Sequence, residues 1–454
     1  MKRHLLNKAF LFGIILILLG SGLVVGYTEG FLTVKNNLKN CKLVKSDFSS
    51  NIEYPIMAPM PIYAPDREPN FFNISIIDTP NQFNWKNKDG KDWTSPVKNQ
   101  GNCGSCWLFA SMGALESVIN IKEDCAELDP DLSEQYVLSC MPEAGSCSGG
   151  NVEKCVFYFI NSTGPEGNFH NGVIFESCLD YYADDDIPCS EKCENWEDYL
   201  VPISEYEESW EYYNIPELRD TIKSLVYQKG PIMVYFWASQ RFMNWGLLHK
   251  FPSQYYPDYN ENCPYFVNHG ITVVGWKDDP SVGNGGYWIC KNTWGTNWGY
   301  NGFFNIEYDI LNLGGFIAWV DYDPESFDWG PIAPDINGPK TGEPGEEYGF
   351  IFTSMDPDGD DDVFYYIDWG DGFSEEWIGP YGSGESVEIK HIWENTENYN
   401  IRVKAKDDLG RESNWAEQNL RLSRDRKPIY GNLIYFLQRF FNHFCFKDLL
   451  NINH

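Results

Sequence analysis

The stretch Gln100-Gly-Asn-Cys-Gly-Ser-Cys-Trp-Leu-Phe-Ala110, QGNCGSCWLFA, sets two cysteines three positions apart at the head of a helical pattern. Leu108, Met112, Leu115 and Ile119 follow at helical spacing and predict a helix over 106–121. Such a pair serves as a redox dithiol, as half of a zinc site, or as one structural and one catalytic cysteine. Zinc needs a second ligand pair; Cys189 and Cys193 offer one, but a pair that opens a helix is not a zinc knuckle. A redox dithiol expects a strand before it, and DWTSPVKNQGN, before Cys103, reads as a loop. A cysteine at a helix N-terminus sits in the positive end of the helix dipole, which favours thiolate. That thiolate attacks a carbonyl carbon when a His, a group orienting the His and oxyanion donors stand nearby.

The chain has 454 residues, too many for one compact domain. Hydrophobic residues at 43% suffice for ordinary cores, and the net charge of -32 excludes a nucleic-acid partner, which demands clustered Lys and Arg. Thirteen cysteines point to an oxidising compartment. Lys2, Arg3 and Lys8 precede the apolar run FLFGIILILLGSGLVV. This reads as a signal peptide over 1–26, cleaved after Gly26, or as a retained membrane anchor. Both readings put the rest of the chain outside the membrane, secreted or at the cell surface. Asn73-Ile-Ser75 and Asn161-Ser-Thr163 are sequons, a weak signal.

Residues 27–78 contain YPIMAPMPIYAP and read as a linker or pro-segment. Residues 79–322 read as a globular α+β domain of two lobes, helices early and strands late: IMVYFW, ITVVGW, YWICK and FFNIEY. Residues 216–229 read as a second helix, with Pro216 near its start and Gly230 past its end. The stretch 184–213, dense in Asp and Glu, reads as a solvated surface insertion. A linker at 323–331 leads to 332–424, where FYYIDW and YNIRVKAK alternate between Gly/Asp turns as in a small β-sandwich. An amphipathic tail, 425–454, closes the chain; packing against a domain suits it better than a membrane surface.

QGNCGSCWLFA resembles the active-site segment of papain-like cysteine proteases, the papain and cathepsin group. The resemblance extends to DLSEQYVLSC from Asp131, CSGGN from Cys147, VNHGITVVGW from Val267 and KNTWGTNWGYNGFF from Lys291. Five blocks in the family's order are specific where the cysteine pair alone is not. The resemblance implies an α+β papain-like fold of two lobes acting on peptide or protein substrates. It implies that Cys106 is the nucleophile, His269 the general acid/base, Asn292 the residue orienting the His, and Gln100 an oxyanion donor with the Cys106 N–H. Trp294 would cover the His–Asn pair, and Gly149 and Gly150 would pair with an extended substrate. Cys103 would be structural, bonded to Cys147, and Cys140 would bond Cys189 or Cys193. No metal and no cofactor is expected. Asn268, beside the His, brings no acidic group to select a basic side chain, so apolar or aromatic substrate residues are expected.

There are departures. Thr293 stands where the family often has Ser, the Cys106–His269 gap is long, and the pro-region lacks the family's long helical pattern. Cys125, Cys155 and Cys178 are left unpaired by the sequence, and Cys290 reads as a buried free thiol.

DPDGDDDVFYYIDWGDG from Asp356, with HIWENTENYNIRVKAKDDLGRES from His391, resembles a polycystic-kidney-disease-type (PKD) domain, an immunoglobulin-like sandwich. That resemblance implies a spacer or a module for a surface partner. The Asp cluster 356–362 reads as a solvated turn rather than a calcium site. Three rival functions remain: a thiol acyl transferase, a papain-like binding scaffold, and an oxidoreductase using a 103–106 bond.

Overall fold

The helix that begins at Cys106 organises the first part of the chain. It spans Cys106–Lys122 (α1), and every residue from Cys106 to Asn120 is buried. The apolar stripe read from the sequence is therefore one side of a helix enclosed all round, as a central helix must be. A computed structural model describes residues 60–61, 74–151, 154–161, 172–209, 217–261, 266–358 and 362–423. The apolar leader, nearly all of the 27–73 segment, the sequon at Asn73, Cys263 and the 425–454 tail lie outside the described residues, as does much of the Asp cluster. Among the described residues no helix is long and apolar enough to cross a membrane.

Two short helices follow α1. Glu134–Cys140 (α2) starts at Ser133, whose hydroxyl accepts from the Tyr136 N–H at 3.0 Å, a side-chain N-cap. Val156–Ile160 (α3) comes next. The strands then build a seven-stranded sheet. Its order runs Phe303–Glu307, Gly286–Lys291, His269–Asp278, Ile232–Phe236, Phe316–Asp321, Glu205–Ser209, with Gln82–Asn84 also paired to His269–Asp278. Glu217–Lys229 (α4) supplies Leu218, Ile222, Leu225 and Val226 to the core over these strands. Gln240–Leu248 (α5), capped by Ser239 on the Phe242 N–H, adds Phe242, Met243 and Trp245. The core includes Trp276, Trp288 and Trp298. Each large side chain so buried contributes about 1.5–3 kcal/mol.

The acidic stretch is exposed or half-buried over 184–199, in line with a solvated surface, but not throughout. Its residues Glu205–Ser209 form the edge strand of the sheet, antiparallel to Phe316–Asp321. An edge strand tolerates acidic side chains because much of its surface faces water. The chain divides into two compact units between Phe327 and Asp328. The second is a β-sandwich. One sheet has three strands, Asp335–Asn337, Glu347–Thr353 and Val387–Ile392. The other has five, ordered Thr341–Gly342, Ala416–Leu422, Asn398–Lys406, Asp362–Asp368, Ser374–Gly382. Strict alternation, as in Asn398–Lys406, sends Tyr399, Ile401, Val403 and Ala405 inward to Trp369 and Trp393. The Trp393 indole N–H donates to the Trp369 carbonyl, so this large ring is buried without an orphaned donor.

Candidate active site

Cys106 is the first residue of α1 and is fully buried. His269 opens the strand His269–Asp278, also fully buried. Gly270 brings the two elements together: a Cβ there would lie 2.9 Å from the Cys106 carbonyl oxygen and 3.1 Å from the Trp107 Cα. Only a glycine lets the strand approach the head of α1 this closely.

The His269 Nε2–H donates to Asn292 Oδ1 at 2.8 Å, leaving Nδ1 as the basic nitrogen, with no hydrogen-bond partner among the described residues. Asn292 Oδ1 also accepts from the Thr293 N–H at 2.8 Å, which fixes which end of the amide faces the imidazole. The Trp294 indole stacks on the ring, centroids 4.3 Å apart and planes within 22°. Trp298 stands edge-on to Trp294 at 5.1 Å. Burial under this roof pushes the His269 pKa down to about 4, against the upward pull of the Asn292 hydrogen bond.

Gln100 is fully buried. Its Nε2 donates to the Cys103 carbonyl at 2.7 Å, and its Oε1 accepts from Thr293 Oγ1 at 2.5 Å. Tyr181, just before the acidic stretch, donates its hydroxyl proton to the Gln100 carbonyl at 2.9 Å and lies 2.7 Å from Ser105 Oγ. Tyr181 and Thr293 were not singled out as site residues from the sequence, since neither stands in a local pattern that points to Gln100.

Gly149–Gly150 pairs with Gly145–Ser146 as a two-residue ladder. The loop lies on the Trp107 indole: a Cβ at Gly145 would sit 2.6 Å from the ring and one at Gly150 3.0 Å. The disulfide Cys103–Cys147 ties this loop to the Gln100 turn. Cys103 thus bonds Cys147 and not Cys106, which removes the redox-dithiol reading. Cys140 bonds Cys189, and Cys178, unassigned from sequence, bonds Cys193. Among the described residues Cys106, Cys125, Cys155 and Cys290 form no disulfide and are buried. Asn268 is buried, and its amide makes two bonds to the backbone of Ala238: Oδ1 accepts from N–H at 2.7 Å and Nδ2 donates to C=O at 3.2 Å. Its polar atoms are spent on the turn before α5.

Behind Asn292 lies a buried charge network. The Lys98 ammonium meets Glu116 at 2.7 Å, Asp131 at 2.7 Å and Glu134 at 3.2 Å. Burial lowers the Lys98 pKa, but Glu116, Glu134 and Asp131 together hold it well above its ordinary value. Lys291 donates to Ser95 Oγ at 2.6 Å, and Ser95 donates to Glu116 Oε2 at 2.7 Å. Burial pushes Lys291 down to about 8.

Residues 79–316 match the sequence model of the papain family cysteine protease. Cathepsin J of Mus musculus is 31% identical over 270 residues, covering 58% of this chain and 71% of that protein. Cathepsin Z of Onchocerca volvulus is 32% identical over 246 residues, covering 52% and 72%. Cathepsin L2 of Homo sapiens is 29% identical over 259 residues, covering 56% and 67%. The PKD domain of an M14-like peptidase from a Thermoplasmatales archaeon is 44% identical, covering 21% of this chain and 99% of that one, with a TM-score of 0.21.

Proposed function

The chain belongs to the papain family of cysteine proteases, and from that premise we propose that it hydrolyses peptide bonds in extended polypeptides through an acyl-enzyme on Cys106. The observation that supports this most directly is the His269–Asn292 bond at 2.8 Å under Trp294, with Nδ1 unpartnered and Gly270 against the Cys106 carbonyl.

Cys106 passes its proton to His269 Nδ1, and the thiolate sulfur bonds to the scissile carbonyl carbon. The negative charge of the resulting oxyanion is met by the Cys106 N–H at the start of α1 and by the Gln100 side-chain amide. The imidazolium returns its proton to the leaving amine as the carbon–nitrogen bond breaks. Water then gives a proton to Nδ1 and its oxygen to the acyl carbon, releasing the acid and the thiol. Asn292 suits this cycle because a neutral acceptor orients the imidazole without competing with the thiolate for its charge. The Gly149–Gly150 edge offers backbone groups to an extended substrate, as an added strand. Asn268 serves by holding the Ala238 turn.

We assign the peptidase domain to 79–322 and the PKD-type sandwich to 332–424. The three disulfides suit an exported chain. The test is turnover of a fluorogenic peptide set by the full chain with mild thiol present, beside Cys106→Ala and His269→Ala. Turnover by the parent that both variants lose supports the proposal. Turnover that survives Cys106→Ala, or a folded parent that cleaves nothing and whose Cys106 alkylates no faster than a free thiol, ends it.

A further inference from the structure

Gly113 stands in the middle of α1, where glycine costs roughly 0.5–1 kcal/mol relative to alanine. A Cβ there would lie 3.1 Å from Thr272 Oγ1 and 3.4 Å from Lys291 Nζ. The missing methyl thus leaves room between two polar atoms. This room belongs to a cavity of about 10 Å³, lined also by Glu116, Asn292 and Thr293. That is about the space one water molecule needs.

The polar groups around it do not satisfy one another. Asn292 Oδ1 is taken by His269 and Thr293, while Asn292 Nδ2 is buried with no partner among the described residues. Lys291 Nζ makes one hydrogen bond among the described residues, to Ser95, although an ammonium has three protons. Both are donors, and two donors facing one space need a shared acceptor. Thr272 Oγ1 gives its proton to the Ala110 carbonyl at 3.0 Å, so toward the cavity it can only accept. A water fits this set: two lone pairs for Nδ2 and Nζ, one proton for Thr272 and one for Glu116.

We propose that a single ordered water occupies the Gly113 cavity and positions Asn292, making Gly113, Thr272 and Lys291 positioning residues for the reaction. The inference rests on the peptidase reading for its effect on rate, but not for the water itself. The water fixes Nδ2 from behind, as His269 and Thr293 fix Oδ1 from the front. Through Lys291 and Ser95 it links the Asn292 amide to the Glu116–Lys98 network. An Asn292 turned by amide rotation would present its NH2 to His269 Nε2–H, two donors face to face, and the catalytic tautomer would lose its support.

The test uses Gly113→Ala and Gly113→Ser in the full chain. Alanine suits a helix interior but fills the water's place with a methyl. Serine is larger, yet its hydroxyl oxygen can accept from both donors in the water's stead. High-resolution diffraction of the parent is expected to show a water within hydrogen-bond reach of both Asn292 Nδ2 and Lys291 Nζ, lost in Gly113→Ala. Gly113→Ala is expected to lower kcat about tenfold with KM nearly unchanged. Gly113→Ser is expected to recover most of that loss, an order that packing alone would reverse. A parent with no such water, or a Gly113→Ser no more active than Gly113→Ala, overturns the inference. Because diffraction reads the site without turnover, a parent that holds the water but cleaves no peptide counts against the peptidase reading and not against the water.

Discussion

Thr293 Oγ1 donates to Gln100 Oε1 at 2.5 Å, across 193 positions of sequence. Thr293 also gives its N–H to Asn292 Oδ1, and its carbonyl accepts from the Gln100 N–H at 2.9 Å. One residue therefore locks the Asn292 amide on one side and the Gln100 amide on the other.

Thr293→Val keeps the shape but removes the hydroxyl. Gln100 Oε1 then loses its donor and the amide is no longer held in one orientation. We expect kcat/KM to fall about tenfold, less than the 10²–10³ typical when an oxyanion donor itself is deleted. Thr293→Ser keeps the hydroxyl and should stay within about twofold of the parent. Equal losses in the two variants would show that the methyl, and not the hydrogen bond, matters.

His269 titrates in a direction set by burial. Burial holds the folded His269 pKa down at about 4, and in Cys106→Ala no thiolate can raise it. In the unfolded chain it returns to about 6.5. On acidification the unfolded chain takes the proton first, so the stability tied to the neutral ring is full above about 6.5 and is lost as pH falls to about 4. The amount is on the order of 3 kcal/mol. Denaturant titrations of Cys106→Ala, with and without His269→Gln, check it: the acid-side slope between pH 6.5 and 4 should shrink when His269 is gone. In the parent an ionised Cys106 raises the ring's pKa, so its imidazolium should persist to higher pH than in Cys106→Ala, read by NMR. An identical pH slope with and without His269 would remove the basis for a depressed pKa.

What was legible from sequence was local chemistry. QGNCGSCWLFA, VNHG and KNTWG each hold a proposed site side chain beside the helix start, strand start or turn that aims it. The links between those segments were not legible. Lys98, Glu116, Glu134 and Lys291 lie on different elements and meet only when the fold is complete. Tyr181 is an ordinary residue until the chain path brings its hydroxyl to Gln100. The bond between the Asn268 amide and the Ala238 backbone was not legible either. Glu205–Ser209 escaped a strand reading because its acidic side chains hide the alternation that marks a strand.

Peptide mapping without reduction should recover the bonds 103–147, 140–189 and 178–193, with Cys106 in the alkylated peptide of the native chain. Cys125, Cys155 and Cys290 should label only after unfolding, because burial raises the pKa of each thiol. Removing the Cys103–Cys147 bond frees both the Gln100 turn and the Gly149–Gly150 edge. The double variant Cys103→Ser with Cys147→Ser should cost about 2–4 kcal/mol and lower turnover. Recovery of a 103–106 peptide would contradict the arrangement of the whole site.

Gly246 lies within α5, and a Cβ there would fall 2.0 Å from Trp298 Cε2 and 2.2 Å from Cζ2. In most helix interiors glycine to alanine is favourable by roughly 0.5–1 kcal/mol. Here the sign should reverse, because a rigid buried indole cannot yield as a flexible side chain does. Its N–H is tied to the Met243 carbonyl at 2.9 Å, and its ring abuts Trp294, which in turn covers His269. Gly246→Ala should therefore destabilise the chain by about 1–3 kcal/mol and lower kcat as the roof over the imidazole shifts. A double-mutant cycle isolates the cause. In a Trp298→Leu background the methyl meets no indole, so Gly246→Ala should become neutral or stabilising, and the two changes should be strongly non-additive. Additive losses would mean that Gly246 is needed for α5 itself, and that the contact with Trp298 is not what forbids a side chain there.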